Sequence, residues 1–137
     1  MTHSTGPILL VEDDPDLRAA VELLLLRQGY DVVATGDGVR AVAMAEECEP
    51  ALALVDLLLP GQSGFQVTLA LKARFGDRVR VVVMSGTSAD HHQDYATASG
   101  ADHFLEKPFA TSALLAVVAA LCPLPTPSAR RKVKIGS

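Results

Sequence analysis

Five short apolar runs, separated by helix-length segments, are the feature that most limits how this 137-residue chain can fold. The run at 79–84 is rich in β-branched residues, as buried central strands usually are. Strands alternating with helices pair in parallel through right-handed crossovers, which place helices on both faces of one sheet. We therefore expect an α/β fold with a doubly wound, five-stranded parallel sheet. The predicted strands are residues 8–11, 32–34, 51–55, 79–84 and 102–105.

The segments between these runs carry helix signals. Asp14 and Pro15 supply a cap and a first-turn proline, and Gly29 ends the same helix. Thr111 is expected to cap the last helix. The segment at 89–99 is the weakest of the five, because it is polar and has little helical periodicity. The predicted helices are residues 15–27, 39–48, 65–74, 89–99 and 111–121.

Composition restricts the class of protein. Apolar residues make up 49% of the chain but aromatic residues only 4%, so the core must be aliphatic. No apolar stretch is long enough to cross a membrane, and the N-terminus lacks a secretory signal pattern. The two cysteines, Cys48 and Cys122, are far apart and are expected to be free thiols. We therefore expect a cytoplasmic protein without membrane insertion.

The charge is distributed unevenly. The net charge is −4, yet four of the 12 basic residues lie at 130–134, where there is no acid. The preceding chain is therefore strongly acidic, which argues against direct binding of nucleic acid. From residue 122 the composition becomes proline-rich and then basic. We expect a folded domain at residues 1–121 and a disordered tail at residues 122–137.

Charged and hydroxyl side chains follow the ends of four predicted strands. The carboxyl ends of parallel strands share one edge of a sheet, where such folds bind ligands. A strand-end carboxylate such as Asp56 can attack phosphorus, and a divalent cation such as Mg²⁺ relieves the repulsion between the two anions. A lysine and a hydroxyl can hold the phosphoryl oxygens. The residues that would supply these groups are Glu12, Asp13, Asp56, Ser85 and Lys107.

Structural roles are possible for each of these residues taken singly. The run from Glu12 to Asp14 could cap a helix, the role that we assign to Asp14. Lys107 could pair with surface acids, and Ser85 could only form a turn. Their joint placement at the ends of separate strands favours phosphoryl chemistry instead. His91 and His92 are adjacent on a predicted helix and point in different directions, so we interpret them as solvated polar residues.

Two other classes of phosphate site fit less well. A haloacid-dehalogenase-like phosphatase, which is an aspartate-dependent Mg²⁺ phosphohydrolase, needs a second aspartate where Leu58 stands. A flavodoxin-like FMN module would place phosphate in the first loop, where Glu12 to Asp14 would repel it. No P-loop pattern is present.

Residues 7–121 resemble a response-regulator receiver domain, the phospho-acceptor module of two-component signalling. The resemblance is carried by the acidic-pair strand, the acceptor strand and its loop with Gly64, the strand ending in serine, and the lysine segment. These motifs are Ile8–Asp14, Val55–Gly61, Val83–Gly86 and Gly100–Phe109. The resemblance implies the flavodoxin-like strand order 2-1-3-4-5 with five helices, and a signalling domain that assists its own phosphorylation and dephosphorylation rather than an enzyme.

The resemblance also implies a role for each site residue. Asp56 would be the phospho-acceptor, Lys107 would contact the phosphoryl group through a segment with a cis Lys107–Pro108 bond, and Ser85 and Phe104 would be the switch residues. The Mg²⁺ ligands would be Glu12, Asp13, Asp56 and the backbone carbonyl of Leu58. The donor would be a histidine kinase or a histidine phosphotransfer protein. A downstream protein would bind the face formed by the fourth helix, the last strand and the last helix, near His103 and Glu106.

Two positions depart from the usual family pattern. Phe104 stands where tyrosine is commoner, so the switch side chain has no hydroxyl for an outer hydrogen bond. Leu58 cannot orient a hydrolytic water, and we therefore expect slow self-dephosphorylation. The early first strand and the short tail favour a single-domain regulator that acts by protein contact. The alternative is a receiver domain excised from a hybrid histidine kinase or a multidomain regulator.

Overall fold

The computed structural model describes residues 6–86 and 100–124. The predicted helix at 89–99, with His91 and His92, and the tail from residue 125 onward lie outside the described residues. The sequence predicted every strand and α-helix of the described residues with the correct type, and no end differs from its predicted position by more than one residue. The short 3-10 helix at Gly76–Arg78 was not predicted. The sheet has five parallel strands in the order β2-β1-β3-β4-β5, which confirms the predicted fold class. The strands are β1 (Ile8–Val11), β2 (Val32–Thr35), β3 (Leu52–Asp56), β4 (Arg80–Ser85) and β5 (His103–Glu106).

Four α-helices belong to the described part of the chain: α1 (Pro15–Arg27), α2 (Gly38–Cys48), α3 (Gly64–Phe75) and α4 (Thr111–Leu121). Asp14 caps α1 as predicted, since its side chain accepts hydrogen bonds from the backbone N–H groups of Asp16 and Leu17. The prediction for Thr111 was wrong. Ala110 occupies the cap position without a side-chain hydrogen bond, and Thr111 is the first helical residue.

The two faces of the sheet form separate aliphatic cores, because neighbouring residues of a strand point to opposite faces. Leu10 and Leu54 point to the face covered by α1 and α4, where Leu25 and Val118 pack against them. The opposite face is covered by α2 and α3. Its core includes Leu9, Val11, Ala41, Ala45, Ala53, Val55, Val67 and Leu71. The central strands β1 and β3 are buried along their whole length, so their carboxyl ends are held firmly in place.

Packing continues a short way beyond α4. Cys122 is buried, its carbonyl accepts a 2.9 Å hydrogen bond from the Tyr30 hydroxyl, and Leu124 packs against the α1–α4 core. Cys122 and Leu124, which the sequence assigned to the tail, thus pack against the folded body. Both Cys48 and Cys122 are free thiols. None of the helices among the described residues is long and apolar enough to cross a membrane.

Candidate functional site

Asp56 is the last residue of β3 and is almost completely buried, with 5% of its surface exposed. Its Oδ1 accepts a 3.3 Å hydrogen bond from the backbone N–H of Leu58. The backbone here is tightly enclosed by the start of α3. A Cβ on Gly64 would lie 2.4 Å from the carbonyl oxygen of Asp56 and 2.8 Å from the Cα of Leu57, so only glycine fits. The close approach of α3 therefore fixes the direction in which Asp56 leaves the sheet.

Two acids from the end of β1 approach Asp56. Glu12 is buried at 1% exposure, and its Oε2 accepts a 3.2 Å hydrogen bond from the N–H of Asp14. Asp13 is exposed. Each of the three residues Glu12, Asp13 and Asp56 offers a carboxylate oxygen, and these oxygens lie within 4.8 Å of one another. One exposed and two buried carboxylates thus converge on a point that solvent can reach from the side of Asp13.

Lys107 follows β5 and extends into the same cluster. Its Nζ lies 2.7 Å from Oε1 of Glu12 and 3.5 Å from Oδ1 of Asp56. Its backbone N–H donates a 2.7 Å hydrogen bond to the Ser85 carbonyl, and the following peptide bond to Pro108 is cis, as expected from the resemblance. Burial lowers the pKa of Lys107, but the hydrogen bond to Glu12 and the charges of both acids outweigh it, so the pKa lies above its ordinary value.

The electrostatics of the cluster disfavour ionised Asp56. Burial is the largest cause, followed by the hydrogen bond and the negative charge of Glu12, and together they raise the pKa of Asp56 to about 7. Lys107 and the Leu58 N–H offset only part of this shift. Two buried carboxylates beside one ammonium leave an excess of negative charge. A divalent cation bound among the carboxylates would remove that excess and favour the ionised form of Asp56.

Ser85 and Phe104 lie on the two strands beyond Asp56. Ser85 ends β4, one residue past the Met84 that pairs with Asp56, and is buried. Phe104 pairs with Val83 in the register of β4 and β5, and its half-buried ring packs against the α2–α3 core. Gly86 leaves space beside Lys107, because a Cβ there would be 3.7 Å from the Cβ of Lys107.

A cavity of about 330 Å³ adjoins the cluster between α1 and the segment after β5. It is lined by Leu17, Gly86, Lys107, Pro108 and Phe109. Lys107 is the one charged residue among the described residues that line the cavity, and its ammonium also contacts Glu12 and Asp56. The cavity therefore forms an apolar approach to the edge of the acidic cluster.

The chain is similar in sequence and in structure to proteins of a known family. A family model described as the response regulator receiver domain matches residues 8–119. The chain belongs to the response regulator receiver domain family. The receiver domain of sensor histidine kinase PA1611 from Pseudomonas aeruginosa PAO1, solved with a magnesium ion in its active site cleft, is similar with a TM-score of 0.77 and 28% identity. The match covers 86% of this chain and 98% of that one.

Other members of the family show the same similarity. A CheY-like receiver domain from Methanospirillum hungatei JF-1 matches with a TM-score of 0.78 and 26% identity, over 85% of this chain and 93% of that one. The DNA-binding response regulator MtrA from Mycolicibacterium smegmatis is 36% identical over 113 residues, which are 82% of this chain and 49% of MtrA. The chain spans about half the length of the curated relatives that it matches.

The receiver fold brings the residues predicted from the sequence to one edge of the sheet. Glu12, Asp13, Asp56 and Lys107 form a single cluster, with Ser85 at the end of the adjacent strand. One residue at the site was not predicted from the sequence: the Arg18 guanidinium donates a 2.7 Å hydrogen bond to the carbonyl of Glu12. No motif marks this residue, because its contact depends on how α1 turns back over the end of β1.

Proposed function

We propose that this receiver domain accepts a phosphoryl group on Asp56 from a phosphohistidine of a histidine kinase or a histidine phosphotransfer protein. The observation that carries the proposal is the contact of one ammonium, Lys107, with both buried carboxylates, Glu12 and Asp56, beside the exposed acid Asp13. An acceptor carboxylate, a cation for the phosphoryl oxygens and an acidic pair for a metal are the parts that phosphoryl transfer needs.

The donor set fits Mg²⁺. This ion is held by oxygen ligands, usually one or two carboxylates together with waters and phosphate oxygens. Glu12, Asp13 and Asp56 supply carboxylate oxygens within 4.8 Å of one another, and the exposure of Asp13 leaves room for water. The backbone carbonyl of Leu58 is the fourth protein ligand that we propose. When bound, Mg²⁺ would neutralise charge on the acceptor and on the incoming phosphoryl group.

The transfer itself is a displacement at phosphorus. A carboxylate oxygen of Asp56 forms a bond to phosphorus, the bond from phosphorus to the donor imidazole nitrogen breaks, and that nitrogen keeps the electron pair. The Leu58 N–H and Gly64 orient the acceptor carboxylate. The Lys107 ammonium, already 3.5 Å from Oδ1 of Asp56, can then move from Glu12 to a phosphoryl oxygen.

We further propose that Ser85 and Phe104 report the phosphorylated state. The Ser85 hydroxyl would donate a hydrogen bond to the phosphoryl group, and Phe104 would rotate into the space that the serine leaves. Phe104 is half-buried at the edge of the α2–α3 core, so an inward rotation would bury more of the ring. This rotation would change the surface around β5 and α4 that a downstream protein binds.

Intact-protein mass spectrometry after incubation with acetyl phosphate tests the proposal. We expect a gain of one phosphoryl group that requires Mg²⁺, disappears in Asp56→Asn, and persists in the matched surface variant Asp31→Asn. Asp13→Asn should retain the acceptor but need more Mg²⁺. Phosphorylation of Asp56→Asn to the level of the unmodified chain would refute the assignment of the acceptor.

The length of the matched relatives favours a second candidate, in which this domain is one part of a longer regulator. The matched curated relatives include DNA-binding response regulators, and the chain spans about half of their length. If this domain belongs to a longer regulator, phosphorylation would act on an attached output domain. An antibody against the receiver domain, used on extracts of the native cells, distinguishes the two cases. A band near 14.4 kDa supports a free-standing regulator, and a band about twice as heavy supports a multidomain one.

A further inference from the structure

Arg18 links helix α1 to the backbone of the acidic pair. Its Nη1 donates a 2.7 Å hydrogen bond to the carbonyl oxygen of Glu12, and the N–H of Glu12 donates a 3.0 Å bond to the carbonyl of Thr35 at the end of β2. Both backbone polar groups of Glu12 are therefore held from outside β1. The ion pairs among the described residues do not include Arg18, so the contact that it makes here is directed at the backbone.

Gly36 provides the space for this contact. A Cβ at Gly36 would lie 2.8 Å from Nη1 of Arg18, and 3.4 Å from both the Cα of Asp13 and the carbonyl oxygen of Glu12. The backbone of Gly36 does not have the positive φ that would by itself require glycine. Glycine therefore fits at position 36 because it has no side chain, and not because of its backbone conformation. Arg18 occupies the narrow space between the turn after β1 and the turn after β2, directly against the backbone that carries both acids.

We infer that Arg18, seated by Gly36, is a positioning residue that fixes the geometry of Glu12 and Asp13 and thereby makes the site selective for Mg²⁺ over Ca²⁺. The inference rests on the proposed function, because it concerns the same metal site. Mg²⁺ requires nearly ideal octahedral geometry at short distances, whereas Ca²⁺ accepts longer and more variable coordination. A carboxylate pair on a loosened backbone would therefore lose more affinity for Mg²⁺ than for Ca²⁺.

The selectivity of the site for Mg²⁺ over Ca²⁺ distinguishes a positioning role of Arg18 from two simpler roles. If Arg18 acted only through its charge, removing it would strengthen the binding of both cations, because one repulsive charge near them would be gone. If it contributed only to stability, removing it would lower the free energy of unfolding and leave both dissociation constants of the folded protein unchanged. Only a positioning role predicts that Mg²⁺ binding weakens while Ca²⁺ binding changes little.

Amide shifts in two-dimensional NMR, recorded while the chain is titrated with MgCl2 or CaCl2, give both dissociation constants and show whether each variant is folded. Arg18→Met keeps the aliphatic length but removes the donors and the charge. Gly36→Ala keeps the charge and displaces the guanidinium. The control is Arg27→Gln, which removes an exposed positive charge at the other end of the same helix. We expect Arg18→Met to weaken Mg²⁺ binding about 10-fold, as changes behind metal ligands commonly do. Gly36→Ala should weaken it in the same direction but less, because only the end of the flexible arginine must shift. Ca²⁺ binding should weaken by less than about 2-fold in both variants.

Each result has a definite meaning. An unchanged ratio of the two dissociation constants in Gly36→Ala, or in a folded Arg18→Met, would overturn the inference while leaving the metal site intact. Tighter binding of both ions in Arg18→Met would assign its effect to charge and would also overturn it. If the unmodified chain bound no Mg²⁺, the proposed function would fail first, and the inference with it. Because Gly36→Ala retains Arg18, it decides the question even if Arg18→Met does not fold.

Discussion

Replacing Asp56 with asparagine should stabilise the metal-free protein, and the gain should grow with pH. Asp56 is buried beside Glu12, which is also buried, and its pKa is raised to about 7. Ionised Asp56 therefore destabilises the folded state. Asparagine has nearly the same shape and is neutral at every pH. Its amide can accept the hydrogen bond from the Leu58 N–H and donate one to Glu12, as the protonated acid does.

The direction of the pH dependence follows from proton linkage. An acid whose pKa is higher in the folded state contributes stability that is complete below its unfolded pKa and is lost as the pH rises through its folded pKa. For Asp56 this interval extends from about 3.8 to about 7. The full shift corresponds to about 4 kcal/mol, at about 1.4 kcal/mol for each pH unit. Lys107 lies 2.7 Å from Glu12 and should keep this contact in the variant, so we expect little of its pairing energy to be lost.

Urea unfolding followed by circular dichroism, with EDTA present, measures the effect. At pH 8 we expect Asp56→Asn to raise the free energy of unfolding by at least about 2 kcal/mol, and at pH 5 the gain should be less than half as large. The exposed control Asp31→Asn should change stability by less than about 0.5 kcal/mol at either pH. A gain of equal size at both values, or a loss at pH 8, would refute the reasoning. Saturating Mg²⁺ should shrink the gain, because the ion favours the ionised carboxylate.

Three further predictions concern the framework and the chemistry of the site. Gly64→Ala should destabilise the fold by about 3 kcal/mol, because its Cβ would lie 2.4 Å from a backbone oxygen, whereas Gly86→Ala meets ordinary contacts and should have little effect in the same urea assay. Lys72→Met should cost about 2 kcal/mol, because the Lys72 ammonium lies 2.7 Å from Asp102 and donates to two carbonyls. Burial alone would raise the pKa of Asp102, but Lys72 and the other donors around Asp102 hold this pKa below its ordinary value. The cost of Lys72→Met should therefore shrink as the pH falls below about 4 and Asp102 is protonated. A cost that is constant with pH would contradict the assigned pairing. Once Asp56 is phosphorylated as proposed, Leu58→Asn should shorten the lifetime of the aspartyl phosphate about 10-fold or more, because an amide at that position can orient a water. Decay at the unmodified rate, followed by mass spectrometry, would show that Leu58 does not limit hydrolysis.

Local sequence signals accounted for most of the framework. The aliphatic runs predicted β1, β3 and β4 because strands buried on both faces are continuously apolar. Asp14 was a correct prediction because an Asx cap depends only on the next few residues. Thr111 was a wrong one. A threonine beside a helix start can be either the cap or the first helical residue, and here the helix begins at Thr111 with Ala110 at the cap position.

The site shows the same division between local and tertiary information. The sequence alone predicted that Asp56, Glu12, Asp13, Lys107 and Ser85 would meet at one edge, because parallel strands carry their carboxyl-end residues there whatever their spacing along the chain. Which charges touch there is a tertiary result. Glu12 and Lys107 are 95 positions apart, and their 2.7 Å contact depends on the packed positions of β1 and β5. Arg18 likewise contacts the Glu12 carbonyl only because the turns after β1 and β2 meet and Gly36 leaves space between them. Such a contact depends on the close approach of two backbone segments, which no residue pattern along the chain predicts.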